Sequence, residues 1–234
     1  MEGALACFDL VQRFPDAVLT LVVTPRFLRQ NPAAGEALRK CSGRLYGGTD
    51  AALGTLSDTE TPQGILAIVR QPHWDESKAL NQPRVVGIYG EQLRDPANVG
   101  TIIRTAAALN LTGLWLTPDS ADWFAPKVVR ATAGAILTLP VFRAAHPAAF
   151  ADAKCALYAA VVPAPGTVRL REIRQIPTRL MIAVGNESRG LSAATLAASA
   201  CRFSIPLARG VESLNVAATA AIASFYLSGL PTGA

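Results

Sequence analysis

The chain has 234 residues, half of them hydrophobic and 17% charged, a composition that supports a sizeable core and excludes an intrinsically disordered protein. No apolar run approaches the roughly 18–20 residues of a membrane span, and Met1-Glu2-Gly3-Ala4 lacks the start of a secretory signal. A soluble, cytoplasmic protein with no membrane partner is expected. The net charge of +5 is uneven: residues 1–80 hold 8 Lys and Arg against 9 Asp and Glu, and residues 81–234 hold 14 against 8.

In chain order, Glu2–Phe14 predicts a helix, Val18–Val23 a strand, Ala33–Lys40 a helix and Ile65–Val69 a strand. A first domain over 1–76 is expected, and its abrupt start inside a helix suggests that structure upstream of residue 1 is missing. A boundary falls near 71–83, where Gln71-Pro72-His73-Trp74-Asp75-Glu76-Ser77 and Asn81-Gln82-Pro83 are polar and broken by proline. Beyond it, over 83–234, strands are predicted at Val85–Tyr89, Gly113–Leu116, Leu157–Val161, Leu180–Val184 and Arg202–Ile205. Helices are predicted at Asn98–Asn110, Ala125–Ala131, Pro147–Ala153, Ala193–Ala200 and Leu214–Ser228. Strands alternating with helices imply an α/β domain with a parallel sheet covered on both faces.

The four cysteines are scattered and the two histidines, His73 and His146, each lie beside a proline. No metal is expected, and a histidine-based catalytic triad is improbable. Only four basic residues are lysine, against 18 arginines. Arginine suits phosphate, because its planar fork binds two oxygens at once. A GC-rich genome yields the same bias, so charge alone leaves a nucleic-acid partner open.

Three segments carry chemistry. The first, Asp95-Pro96-Ala97-Asn98-Val99-Gly100-Thr101-Ile102-Ile103-Arg104-Thr105-Ala106, leaves a strand and opens a helix whose Val99, Ile102, Ile103 and Ala106 form one core face. Asn98 stands where an N-cap belongs. Arg104 lies off the apolar stripe, either solvated or functional. The second, Gly185-Asn186-Glu187-Ser188-Arg189-Gly190-Leu191-Ser192, follows a buried strand and ends on a serine placed to cap a helix. Its glycines allow a sharp turn or close approach of backbone to a ligand. Glu187 is either a functional acid or the partner of a nearby arginine in a tight loop.

The third segment, Ile205-Pro206-Leu207-Ala208-Arg209-Gly210-Val211-Glu212-Ser213-Leu214-Asn215-Val216-Ala217-Ala218, runs from a short strand into an apolar helix. Leu214, Ala218, Ala221, Ile222 and Phe225 share one face of it, and burial in the core or against another subunit is expected. Ser213 is a candidate N-cap, and Asn215, in the first turn, must find partners for its amide. There is no phosphate loop, and no GxGxxG follows the first strand of the second domain, which weakens a different α/β nucleotide enzyme.

Together the three segments resemble the motifs of the SpoU (TrmH-type) branch of the SPOUT RNA methyltransferases, in order and approximate spacing. Lys127-Val128-Val129-Arg130-Ala131-Thr132-Ala133-Gly134-Ala135 is similar to a further family segment, and the likeness spans residues 83–230. Residues 1–70, with Ser57-Asp58-Thr59-Glu60-Thr61-Pro62-Gln63-Gly64, resemble the small L30e-like substrate-binding domain that many members carry in front.

The resemblance implies a deep trefoil knot at the C-terminal end of the catalytic domain, S-adenosylmethionine as cofactor, a homodimer, and methyl transfer to a ribose 2′-hydroxyl of RNA. By motif position, Gly185, Ile205 and Leu214 match cofactor-contacting residues. Asn98, Arg104, Glu187, Ser213 and Asn215 match catalytic and substrate-site residues. Ribosomal RNA is the expected substrate, on the strength of the front domain. The alternatives are a transfer-RNA 2′-O-methyltransferase and a non-catalytic RNA-binding relative acting in ribosome assembly.

Overall fold

A computed structural model describes residues 1–32, 34–39, 41, 43–144 and 146–233. The chain divides into two compact units, Met1–His73 and Trp74–Ala234. The first unit holds 7 basic and 7 acidic residues, so the whole net charge of +5 belongs to the second.

In the first unit, α1 (Ala4–Arg13) is followed by β1 (Val18–Val23), α2 (Pro25–Gln30), α3 (Ala34–Arg39), β2 (Arg44–Gly47), α4 (Asp50–Leu56) and β3 (Ile65–Val69). The ends of the helix predicted at Ala33–Lys40 lie outside the described residues. The sheet order is β2-β1-β3, with β2 parallel and β3 antiparallel to β1. Alternation along β1 and β3 turns Leu21, Val23, Ile65 and Ala67 into a core completed by Cys7, Leu10 and Phe27. Burial raises the Cys7 thiol to a pKa of about 12, which makes it an inert core residue.

The second unit opens earlier than the polar composition of 71–83 predicts. Residues 76–80 form a helix, α5 (Glu76–Leu80), capped by Asp75, whose carboxylate accepts from the Lys78 N–H at 3.0 Å. Glu76 accepts from the Trp115 indole N–H at 2.8 Å, Ala79 is buried, and Trp74 and Leu80 pack on the same core. The Arg179 guanidinium adds hydrogen bonds to the carbonyls of Leu80, Gln82 and Ala153. The segment reads as a linker because its apolar positions are few, yet each of them is used.

The remaining elements are β4 (Val85–Gly90), α6 (Pro96–Ala108), β5 (Gly113–Leu116), α7 (Pro126–Ala131), β6 (Val141–Arg143), α8 (Ala148–Asp152), β7 (Ala156–Ala160), β8 (Val168–Arg169), β9 (Arg179–Val184), α9 (Ala193–Ala198), β10 (Cys201–Ser204) and α10 (Val216–Ser228). The seven strands form one parallel sheet in the order β6-β5-β4-β9-β7-β10-β8. Both faces are covered, as a parallel sheet requires. Trp115, Tyr89, Phe142, Phe150 and Met181 fill one side, with Trp115 and Tyr89 each meeting the Phe150 ring edge-on. α6 and α10 pack together on the other side, and α6 also packs on α7. Gly100 permits that last contact, since a Cβ there would lie 2.4 Å from the Ala131 Cβ.

The predicted core face of α6 is the one observed: Val99, Ile102, Ile103 and Ala106 are fully buried. For α10 the buried residues are instead Val216, Ala217, Ala220, Ala223, Ser224 and Leu227. The stripe singled out in the sequence turns outward, with Ile222 42% and Phe225 72% exposed. A helix apolar all round gives no moment to say which face packs inward, and neighbouring helices decide. Among the described residues no helix is long and apolar enough to cross a membrane.

Candidate active site

The carboxyl ends of β4 and β9 lie side by side, with Gly90 paired to Val184, and the first two motif segments leave from them. Such strand ends form the ligand crevice of open α/β sheets. What each polar side chain does there depends on which residue caps each helix.

The α6 cap is Asp95, not Asn98. The Asp95 carboxylate accepts from the Ala97 N–H at 2.9 Å, and Pro96 occupies the first helical position, where a missing N–H costs nothing. Asn98 thus sits inside the first turn with its side chain free for long-range bonding. It is 7% exposed and donates from Nδ2 to Glu187 Oε1 at 2.8 Å. On α10 the cap is Asn215, not Ser213. Asn215 Oδ1 accepts from the N–H groups of Ala217 and Ala218 at 2.8 and 3.3 Å. Its Nδ2 donates to Asn98 Oδ1 at 2.9 Å, although Asn215 is itself exposed and not buried as its place before an apolar helix predicts.

Glu187, Asn98 and Asn215 therefore form one hydrogen-bonded relay across three segments that are far apart in the chain. Glu187 has amide donors, Asn98 and Asn186, and among the described residues no paired arginine. Its loop is a tight hairpin: Gly190 N–H donates to the Asn186 carbonyl at 2.9 Å, and Gly190 has φ 68°. Gly185 is required by that hairpin, because a Cβ there would lie 2.4 Å from the Gly190 carbonyl carbon. Ser192 caps α9 as its position predicts, accepting from Thr195 N–H at 3.2 Å.

The other predicted site residues are not part of the relay. Arg104 is exposed on α6, six residues beyond Asn98, about 9 Å along the axis and a third of a turn around it. Among the described residues it has no hydrogen-bond or ion-pair partner. Its exposed stripe is Ala97, Thr101, Arg104 and Ala108. Ser213 is exposed in the irregular loop before α10, and Ile205 and Leu214 are half-buried at the two ends of that loop. Asn186, Gln92 and Thr117, none of them a candidate from sequence, bond around the Glu187 loop. Asn186, preceding the acid in a glycine-bounded turn, was the one legible signal, since Asn side chains close turns onto their own backbone.

The sequence model of the family described as SpoU rRNA Methylase matches residues 86–225, more than half of the chain. The chain belongs to this SpoU family. All three segments of the relay fall within the match. Among curated SpoU-like relatives, the 23S rRNA (guanosine(2553)-2′-O)-methyltransferase of Bacillus subtilis is 35% identical over 77% of this chain and 71% of its own length. The 23S rRNA (uridine(2479)-2′-O)-methyltransferase of Streptomyces viridochromogenes is 34% identical over 71% of this chain and 60% of its own length. The SpoU methyltransferase AviRb of Streptomyces viridochromogenes, solved in complex with the cofactor AdoMet, superposes with a TM-score of 0.82 at 25% identity, over 97% of this chain and 87% of that one. A structure described by the 2-OH methylation of C/U34 on tRNA covers only 62% of this chain, with a TM-score of 0.54 at 29% identity and 94% of its own length matched.

The double use of Asn215 in this SpoU chain separates stability from site geometry. Asn215→Ala is expected to cost about 1 kcal/mol through the lost cap, read as a Tm drop of about 2–4 °C. Asn215→Asp retains the cap and is expected to lose less stability than the alanine variant, while losing the bond to Asn98. Equal melting of both variants with the parent would remove the capping role.

Proposed function

We propose that this protein transfers a methyl group from S-adenosylmethionine to a ribose 2′-hydroxyl of RNA, with ribosomal RNA as substrate. The observation that carries the reading is the Glu187–Asn98–Asn215 relay, which unites the three motif segments at the strand ends. The substrate class follows the curated relatives, which are named for 23S rRNA 2′-O-methylation, and the AdoMet-bound neighbour supports the cofactor. We read the protein as cytoplasmic.

The residues at the loop ends fit a cofactor with an apolar base and polar edges. Ile205 and Leu214 are half-buried, and most of the backbone of 205–215 lies outside helix and strand, leaving N–H and C=O groups for a ligand. Ile205, Leu214 and Gly185 would hold S-adenosylmethionine, which supplies an activated sulfonium methyl. A ribose hydroxyl is a weak nucleophile, so the chain must align it and help remove one proton. The planar guanidinium of Arg104 binds two oxygens at once, anchoring the adjacent phosphate and polarising the hydroxyl. Asn98, Glu187 and Asn215 present a fixed polar wall, and Ser213 faces substrate from the neighbouring loop. This chemistry calls for no metal. We read the C-terminal part, where β9 inserts between β4 and β7, as a deep trefoil knot, and the first unit as an L30e-like RNA-binding domain.

The outward stripe of α10 supports a two-fold homodimer, because the exposed Phe225 and Ile222 form an apolar patch uncovered among the described residues. Phe225→Asp is expected to turn a dimer into a monomer in light scattering at micromolar concentration. A monomeric parent at that concentration would end the proposal. The function itself is tested by calorimetry with S-adenosylmethionine and by mapping 2′-O-methyl sites in RNA from a deletion strain. One lost ribosomal site is expected; a lost transfer-RNA site would move the substrate, and no cofactor binding would favour a non-catalytic relative.

A further inference from the structure

Asn186 uses both ends of its side chain. Oδ1 accepts from the N–H groups of Ser188 and Arg189 at 3.0 and 3.1 Å, which closes the turn that carries Glu187. Nδ2 donates to the Gln92 carbonyl at 2.9 Å and makes a longer contact with Glu187 Oε2 at 3.4 Å. The amide thus has two acceptor and two donor contacts, its full complement.

Gln92 is an unusual anchor. It lies at φ 55°, a left-handed conformation that a non-glycine residue holds only where its surroundings fix it. Its N–H donates to Thr117 Oγ1 at 2.8 Å, and the Leu93 N–H donates to Ser120 Oγ at 3.1 Å. Those two hydroxyls, both buried, are 3.1 Å apart. The buried Glu91 carboxylate accepts from the Ser192 N–H at 3.1 Å, just past the far end of the Glu187 hairpin. Residues 91–93 are therefore pinned by the end of β5 and hold the hairpin at both ends.

We infer that Asn186 is a positioning residue: through the pinned Gln92 carbonyl it sets the Glu187 carboxylate against Asn98. The inference rests on the proposed role of Glu187 in the reaction. Glu187 is an exposed side chain that would otherwise sample several rotamers. With Oε1 held by Asn98 and Oε2 near Asn186, its plane is set before substrate arrives.

The test uses Asn186→Ser in the full chain. Serine can accept from the same two N–H groups and keep the turn, but it is too short to reach Gln92 or Glu187. Methyl transfer from tritiated S-adenosylmethionine into total RNA of a strain lacking the gene gives kcat and KM, and calorimetry gives cofactor affinity. Asn186→Ser is expected to lower kcat about 10- to 100-fold, the scale of a small misplacement, with KM and cofactor affinity within about threefold. In a Glu187→Gln background the same change is expected to cost less than about twofold, since residues acting as one unit are not additive. Asn186→Asp, which keeps the acceptor and removes the donor, should follow the same pattern and guards against a folding defect in the serine variant. Equal losses in both backgrounds, or a loss confined to cofactor affinity, would overturn the inference and leave the role of Glu187 standing. Full activity of Glu187→Gln alone would remove that role, and the inference with it.

Discussion

Replacing Arg104 by alanine is expected to lower the rate of methyl transfer by about 10²–10³ while leaving affinity for S-adenosylmethionine nearly unchanged. The fold should tolerate the change. Arg104 is exposed, α6 is held by Val99, Ile102, Ile103 and Ala106 on its other side, and alanine is the better helix former. The loss would therefore report chemistry. Arg104→Lys is expected to recover little, because a single ammonium cannot reproduce a planar fork that grips phosphate and hydroxyl together. Near-normal turnover of the alanine variant would remove Arg104 from the mechanism.

Removing residues 1–73 is expected to leave cofactor binding intact and to abolish most site-selective methylation. The first unit is electrically neutral and the second carries the +5 balance, so bulk attraction to phosphate belongs to the part retained. The truncated protein should still bind RNA weakly, with an affinity that falls steeply as salt rises. Phosphate contacts position a protein without reading sequence, and selection would fall to the first unit. The cut belongs before Trp74. A cut at residue 76 would remove the Asp75 cap of α5 and the Glu76 bond to Trp115. If the truncated protein modified the same nucleotide at the full rate, the second unit would hold the specificity itself.

The sequence by itself determined the elements with a strong period and a complete core face. β1, β3 and β5 have their predicted limits, and α6 packs on its predicted stripe, because burial of branched side chains is local arithmetic once the period is known. It also determined that the three motif segments belong to one family, since their residue types and spacing survive without coordinates. It did not reveal β2 and β8, short edge strands with every residue exposed, which carry no hydrophobic alternation, nor β6, an edge strand of three residues and too short to show a period.

Only the tertiary structure decided the caps, the outward face of α10 and the relay. Asp95 and Asn98 are both competent caps, as are Ser213 and Asn215, and a propensity cannot choose between neighbours that both satisfy it. Long-range bonds chose: Asn98 reaches Glu187, 89 residues away, and Asn215 reaches Asn98, 117 residues away. Gln92 shows the same limit. Nothing in its residue type announces φ 55°, and that conformation exists because Thr117 and Asn186, brought alongside by the pairing of β4 with β5 and β9, hold it there.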